Sequence, residues 1–241
     1  MTGTLFLIPN TLGETEALSS VLPEQVQQIT SQLDYFVAEN AKTARAFLKL
    51  VNARHPLAKP LQEITISELN VNTPAAALAG LLAPLLAGQD GGLVSEAGVP
   101  AVADPGADLV RLAHQHNIPV RPLVGPSSLL LAVMASGLNG QSFAFNGYLP
   151  TDPAQRATRI KELEQRSRKE KQTQLFIETP YRNAAMLEAL TAACAPGTLI
   201  CVATDLSLPS ETIRTMTASQ WKSAKAPDFH KKPTVFLLLG Q

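Results

Sequence analysis

Short apolar runs recur through the first half of the chain, at residues 4–8, 34–38, 64–67 and 92–95, each giving way to a polar, proline- or glycine-bearing loop. Runs of four or five residues are too short for helices and too apolar for a solvated surface, so they read as buried strands. Between them lie helical patterns. Residues 43–51 place Ala44, Phe47, Leu48 and Val51 on one face, and residues 74–87 and about 107–116 also read as helices. Residues 119–123 form a further strand, and an apolar helix starts near Ser127. Strands in alternation with helices long enough to cross over a sheet imply the α/β class, with a mostly parallel sheet covered on both faces.

A turn-rich stretch, Gly147-Tyr148-Leu149-Pro150-Thr151-Asp152-Pro153, interrupts this pattern, and the domain boundary is expected there, giving domains 1–148 and 149–241. A charged helix is expected over residues 153–171. Strands at 173–177, 199–203, 211–217 and 234–239 and a helix at 181–193 follow.

With 241 residues, of which 45% are apolar, the chain can bury an ample core. Its 20 basic and 20 acidic residues balance, which argues against a dedicated nucleic-acid coat or a membrane-surface protein. The balance is uneven along the chain: residues 1–150 hold 7 Lys and Arg against 11 Asp and Glu, and residues 151–241 hold 13 against 9. A polyanion is therefore expected to meet the second half first. Cys194 and Cys201 sit in apolar surroundings and read as buried small hydrophobes of a reducing compartment. The chain enters a strand within a few residues of Met1, and no apolar stretch is long enough to span a bilayer. A cytoplasmic protein with no membrane partner is expected.

Two loops carry the chemistry. Ser95-Glu96-Ala97-Gly98-Val99-Pro100, continued by Asp104-Pro105-Gly106, begins at a strand end, where open α/β sheets place their ligands. Its glycines permit sharp turns and close approach to a ligand, and its prolines stiffen it. The plainer reading is a strand-to-helix connection with Asp104 as cap. The second loop, Val124-Gly125-Pro126-Ser127-Ser128, opens a helix, whose N-terminus suits a carboxylate or other anion. Dinucleotide-binding and phosphate-loop glycine patterns are absent, as is a serine nucleophile elbow. His114 and His116, two apart, cannot form a helical zinc pair, and no metal is expected.

These loops resemble those of the tetrapyrrole methylase superfamily, in particular its branch of small-subunit ribosomal RNA (cytidine-2′-O)-methyltransferases. The resemblance extends to Gly3–Pro9 as the opening strand and proline loop, and to Phe36-Val37-Ala38-Glu39-Asn40 with Arg45 downstream. It also takes in Asn146–Pro150 as a hinge and Phe176-Ile177-Glu178-Thr179-Pro180-Tyr181-Arg182 as a strand–helix junction. It implies two unequal α/β domains with mixed, mainly parallel sheets, a cofactor cleft between them, S-adenosyl-L-methionine as cofactor, and a homodimer. By resemblance, Pro9, Ser95, Glu96, Ala97, Gly98, Pro100, Gly125, Pro126, Ser127 and Ser128 line the cofactor site from the first domain. Ile177, Glu178, Ala203 and Thr204 meet the adenosine from the second.

The chain departs from the branch at three places. Leu12-Gly13-Glu14 replaces an Ile-Gly-Asn turn, Asn40-Ala41-Lys42-Thr43-Ala44-Arg45 replaces an acidic Asp-Thr-Arg step, and Lys231-Lys232-Pro233 replaces a Gly-Glu pair. These fall toward the acceptor side, so the acceptor stays open: ribosomal RNA, a tetrapyrrole-like small molecule, or none in a non-catalytic binding module. Candidates for a general base are Glu14, Glu39, Glu96 and Glu178, with Glu39 favoured by its place after a strand end. The segment from Arg156 to Lys171 holds seven basic residues against three glutamates; it is either a solvated, internally paired helix or a rim for RNA phosphates.

Overall fold

Alternating residues of the first strands divide between two cores, and this division sets the layers of the first domain. In the computed structural model, which describes residues 1–14 and 18–241, the elements run in the order β1 (Leu5–Ile8), α1 (Glu24–Gln32), β2 (Tyr35–Ala38), α2 (Ala41–Asn52), β3 (Thr65–Glu68), α3 (Leu78–Leu86), β4 (Gly91–Val94), α4 (Ala107–Gln115) and β5 (Val120–Pro122). The sheet order is β3-β2-β4-β1-β5, and every pairing is parallel. Phe6, Ile8, Phe36 and Val94 pack with Val26 of α1 and Phe47, Leu48 and Val51 of α2. Leu5, Tyr35, Val37 and Leu93 pack on the other face with Leu82 and Leu85 of α3 and Leu109 and Ala113 of α4. The period of two in the strands and of 3.6 in the helices meet at these two layers.

Gly92 lies in register with Phe6 on one side and Phe36 on the other. A Cβ there would stand 2.5 Å from Ile8 Cδ1 and 3.0 Å from Phe36 Cδ1. The central strand thus lacks a side chain at this position so that Ile8 and Phe36 can close over it.

The second unit continues with α5 (Ser128–Ser136), β6 (Phe143–Tyr148), α6 (Pro153–Glu170), β7 (Thr173–Ile177), α7 (Asn183–Ala193), β8 (Leu199–Thr204), β9 (Thr212–Thr217), α8 (Ala218–Ser223) and β10 (Thr234–Leu239). Its order is β6-β7-β10-β8-β9, a mixed sheet whose parallel pair is β6 with β7. Ile160, Leu163, Met186, Leu190 and Trp221 of the helices cover Phe176, Ile200, Val202, Phe236 and Leu238 of the strands.

The boundary expected after residue 148 is corrected. The units divide as Met1–Ser127 and Ser128–Gln241. The turn-rich stretch is the end of β6: Gly147 adopts φ +64°, and the strand shifts register between Phe145 and Tyr148 yet still pairs with β7. A glycine bulge inside a strand looks like a turn in the sequence. Two helices also escape the apolar pattern. The buried side of α1 contains Gln27, Thr30 and Ser31, whose polar groups bond locally to the carbonyls of Leu22, Val26 and Gln28. Helix α8 is short, but the Thr217–Gln220 capping box marks its start.

Candidate active site

Strand order locates the site. From β1 the chain moves to β2 and β3 on one side; from the neighbouring β4 it moves to β5 on the other. The loops after β1 and β4 therefore leave the sheet in opposite directions, and ligands of open parallel sheets bind beyond the strand ends at such a switch point.

Three loops interlock there. Asn10 N–H donates to Gly98 O (2.8 Å), and Gly98 N–H donates to Thr11 O (3.2 Å). The buried Asn10 side chain donates from Nδ2 to Glu96 O (3.0 Å) and Ser95 O (3.3 Å), while its Oδ1 accepts from Thr11 N–H (2.8 Å). Gly98 has φ +69°, and a Cβ would lie 3.2 Å from Leu12 Cδ2 and 3.5 Å from Pro126 O. Its glycine requirement is therefore one of loop-to-loop locking: its N–H is spent on Thr11 O and one lone pair of its carbonyl on Asn10 N–H. The Pro9-Asn10 pair at a strand end is a turn signal, but only the fold brings the Asn10 side chain to the β4 loop.

The β4 loop is strained. Ala101 and Ala103 both sit in the left-handed region, at φ +64° and +65°, where residues with a Cβ are uncommon. Such conformations persist where surrounding contacts over-determine them, and they cluster at functional loops. Gly106 N-caps α4 without a side-chain bond, so Asp104 is not the cap; the buried Ser95 hydroxyl nearby instead favours its charged form.

Three carboxylates gather beside these loops. Burial raises the Glu39 carboxyl above its ordinary range, with Asp104 and Glu96 adding like-charge repulsion; the Glu96 backbone N–H partly offsets this. Asp104 is raised by burial first, opposed by the Ser95 hydroxyl and reinforced by Glu96. Among the described residues no salt bridge reaches any of the three. On the β4 loop Glu96, Ala97 and Val102 are exposed, and Val124, on the loop after β5, is exposed to 74%. Pro9 and Pro100 are buried, and Gly125, Pro126, Ser127 and Ser128 are half-buried on the segment leading into α5.

In the second unit the expected adenosine residues stand at strand ends. Ile177 closes β7 and is half-buried. Glu178 is buried; its Oε1 accepts from Thr179 N–H (2.7 Å), and its Oε2 lies 2.9 Å from Arg182 Nη2, an ion pair without hydrogen-bond alignment. That pairing leaves it poorly suited to act as a base. Ala203 and Thr204 are fully buried at the end of β8, with the Thr204 hydroxyl 3.1 Å from that of Thr234, so neither side chain presents surface. Glu14 is exposed beyond the β1 loop.

The basic helix is largely self-satisfied. Arg159 pairs with Glu162 (3.0 Å), Arg166 with Glu170 (3.2 Å) and Arg168 with Glu164 (3.8 Å). Arg156 is buried and donates to Thr151 O. Glu164 is itself structural, accepting from Ala195 N–H (2.8 Å) and from the Thr198 hydroxyl. Both cysteines are buried thiols, and burial, with Glu164 nearby, pushes Cys194 up to about 12. Among the described residues no helix is long and apolar enough to cross a membrane.

A parallel sheet with stiff loops interlocked at its switch point and acids beside them is the layout of an α/β enzyme domain. The chain belongs to the tetrapyrrole (corrin/porphyrin) methylase family, whose sequence profile matches residues 22–221. As a member of that family it is a methyltransferase. Proteins named ribosomal RNA small subunit methyltransferase I from Xylella fastidiosa and Escherichia coli are 29% and 28% identical over 239 and 213 residues, covering 99% and 88% of this chain and 81% and 68% of theirs. The protein of that name from Mesorhizobium japonicum is 38% identical over 151 residues, which is 61% of this chain and 50% of its own length. Among solved structures, the methyltransferase CobJ superposes with a TM-score of 0.63 at 17% identity, covering 99% of this chain and 95% of its own. At that identity the likeness shows the fold.

Proposed function

We propose that the chain transfers the methyl group of S-adenosylmethionine to a ribose 2′-hydroxyl of small-subunit ribosomal RNA. The observation that carries the donor is the trio of Glu39, Glu96 and Asp104, which among the described residues has no salt-bridge partner and lies on or beside a loop that also exposes Ala97 and Val102. Three carboxylates without a cationic partner favour a ligand bearing positive charge. S-adenosylmethionine supplies that charge at its sulfonium and ammonium, together with a transferable methyl group. The residues named for it, Pro9, Ser95, Glu96, Ala97, Gly98, Pro100, Gly125, Pro126, Ser127 and Ser128, fit as a cradle in two ways. The buried Pro9, Gly98 and Pro100 and the half-buried Gly125 hold the loops together, while Glu96, Ala97, Ser127 and Ser128 offer surface.

The chain's own work is positioning, because transfer at carbon needs the acceptor oxygen in line with the departing sulfur. Glu39 takes the hydroxyl proton as the oxygen–carbon bond forms. Its raised affinity for protons brings it closer to the neutral range in which a general base is most effective. The acceptor is supported by the names of the relatives. A homodimer belongs to the same reading: Leu130 and Met134, one helical turn apart on α5, are 53% and 77% exposed.

Purified protein incubated with radiolabelled S-adenosylmethionine and an extract of cells lacking it should place label in small-subunit ribosomal RNA. Label confined to small molecules or to protein would reject the acceptor, and no transfer at all would reject the donor as well.

A further inference from the structure

Tyr181 is 73% exposed in the turn that follows β7, an unusual amount of solvent contact for an aromatic side chain on an ordered turn. The ammonium of Lys231 stands over one face of its ring, 5.9 Å from the centroid. Lys231 comes from the distant loop before β10, and three features hold it there. Its N–H donates to Pro180 O (3.2 Å). The buried Asn183 donates to Phe229 O (2.8 Å) and Lys232 O (2.9 Å), fastening the loop on either side. Lys231 also has φ +59°, a left-handed conformation that a lysine adopts only under constraint.

The charges nearby are sorted. Lys232 is committed to Asp228 (3.0 Å) and Asp205 (3.5 Å), and Arg182 to Glu178 (2.9 Å). Among the described residues Lys231 has no carboxylate partner, and it is exposed.

We propose that Tyr181 and Lys231 form a contact for a single-stranded nucleotide of the RNA substrate. A base stacks on the ring face away from Lys231, and the Lys231 ammonium meets a phosphate. RNA presents a π-face and an anionic oxygen side by side, which is the pairing this platform complements. The self-paired charges of α6 leave less free cation for that role than the seven basic residues of its sequence suggest.

The inference rests on the RNA reading above, and one experiment separates them. Deproteinised small-subunit ribosomal RNA from cells lacking the enzyme serves as probe for the full chain and its Tyr181→Ala, Tyr181→Phe and Lys231→Glu variants. Affinity is measured at several salt concentrations, with S-adenosylmethionine binding and thermal melting recorded alongside. Tyr181→Ala should weaken RNA binding roughly 5- to 150-fold, the range for one base–aromatic stack, while Tyr181→Phe stays close to wild type. Lys231→Glu should weaken binding and flatten the dependence of log affinity on log salt by at least about 0.7, the value for one phosphate contact on a single strand. KM for RNA should rise with kcat little changed. Wild-type affinity and salt dependence in both Tyr181→Ala and Lys231→Glu would overturn the contact and leave the RNA reading standing. A wild-type protein that neither binds nor methylates this RNA would overturn both.

Discussion

A Cβ on Gly125 would lie 2.2 Å from Pro9 Cβ and 2.3 Å from its Cγ, so the loops after β1 and β5 touch through the absence of a side chain. Pro9 is rigid and cannot yield. Gly125→Ala should therefore destabilise the fold by about 1–3 kcal/mol, the usual cost of overpacking, and weaken S-adenosylmethionine binding at the same time. Urea denaturation and calorimetry read the two effects. A variant with wild-type stability and affinity would show that the loops are not held as described.

Gly98 faces a different obstacle, since its φ of +69° resists any residue with a Cβ. Gly98→Val adds β-branching and should cost stability as well as ligand affinity, because the bonds to Asn10 and Thr11 share the same backbone. Asn10→Ala should loosen the same lock from the other side, by about 1–3 kcal/mol, leaving the carbonyls of Ser95 and Glu96 without their donor. Unfolding curves for Asn10→Ala that overlay wild type would remove Asn10 from this role.

The raised Glu39 carboxyl has consequences for both stability and rate. The folded state holds the proton more tightly than the unfolded chain. Its contribution is intact below the ordinary carboxylate range and is lost as pH rises through the raised folded value. Glu39→Gln should therefore gain stability over wild type at neutral pH and lose that advantage in acid. As proton acceptor, Glu39 should lower kcat by about 10²- to 10⁴-fold when replaced by Gln, and the acidic limb of the wild-type rate profile should vanish. A Gln variant with full kcat would show that the reaction needs neither the basicity nor the charge of this carboxylate.

Arg166→Glu should have a small effect on RNA affinity beside Lys231→Glu, since Arg166 is already paired with Glu170, and Lys169 is the exposed cation beside it that carries no such pair among the described residues. Filter binding of Arg166→Glu and Lys169→Glu compares them directly. A loss as large as that of Lys231→Glu would restore the helix as the main RNA rim.

For the homodimer, Met134→Lys should halve the mass seen by light scattering, because the exposed pair Leu130 and Met134 supplies the apolar face of α5. A wild-type monomer at high concentration would reject the dimer.

Local chemistry alone determined much of this molecule. The strands at Thr173–Ile177 and Thr234–Leu239 were legible because each carries an apolar core, residues 175–177 and 235–239, too short for a helix. The two loops at the head of the site were legible because glycine and proline leave a pattern that short-range sterics explain. Tertiary structure decided what no window along the chain contains. It showed that Gly147 is a bulge inside β6, since only pairing with β7 distinguishes a bulge from a turn. It assigned Gly98 to packing against Leu12 and Pro126 and Gly125 to packing against Pro9, on loops far apart in sequence, and it brought Glu39, Glu96 and Asp104 together from the ends of two strands. It divided the seven basic residues of the charged segment into paired, buried and free, and set Lys231 over Tyr181 across fifty residues of chain. Periodicity records which face a residue takes, but distance between loops and neutralisation of charge depend on which strands lie side by side, and that order is a property of the folded sheet.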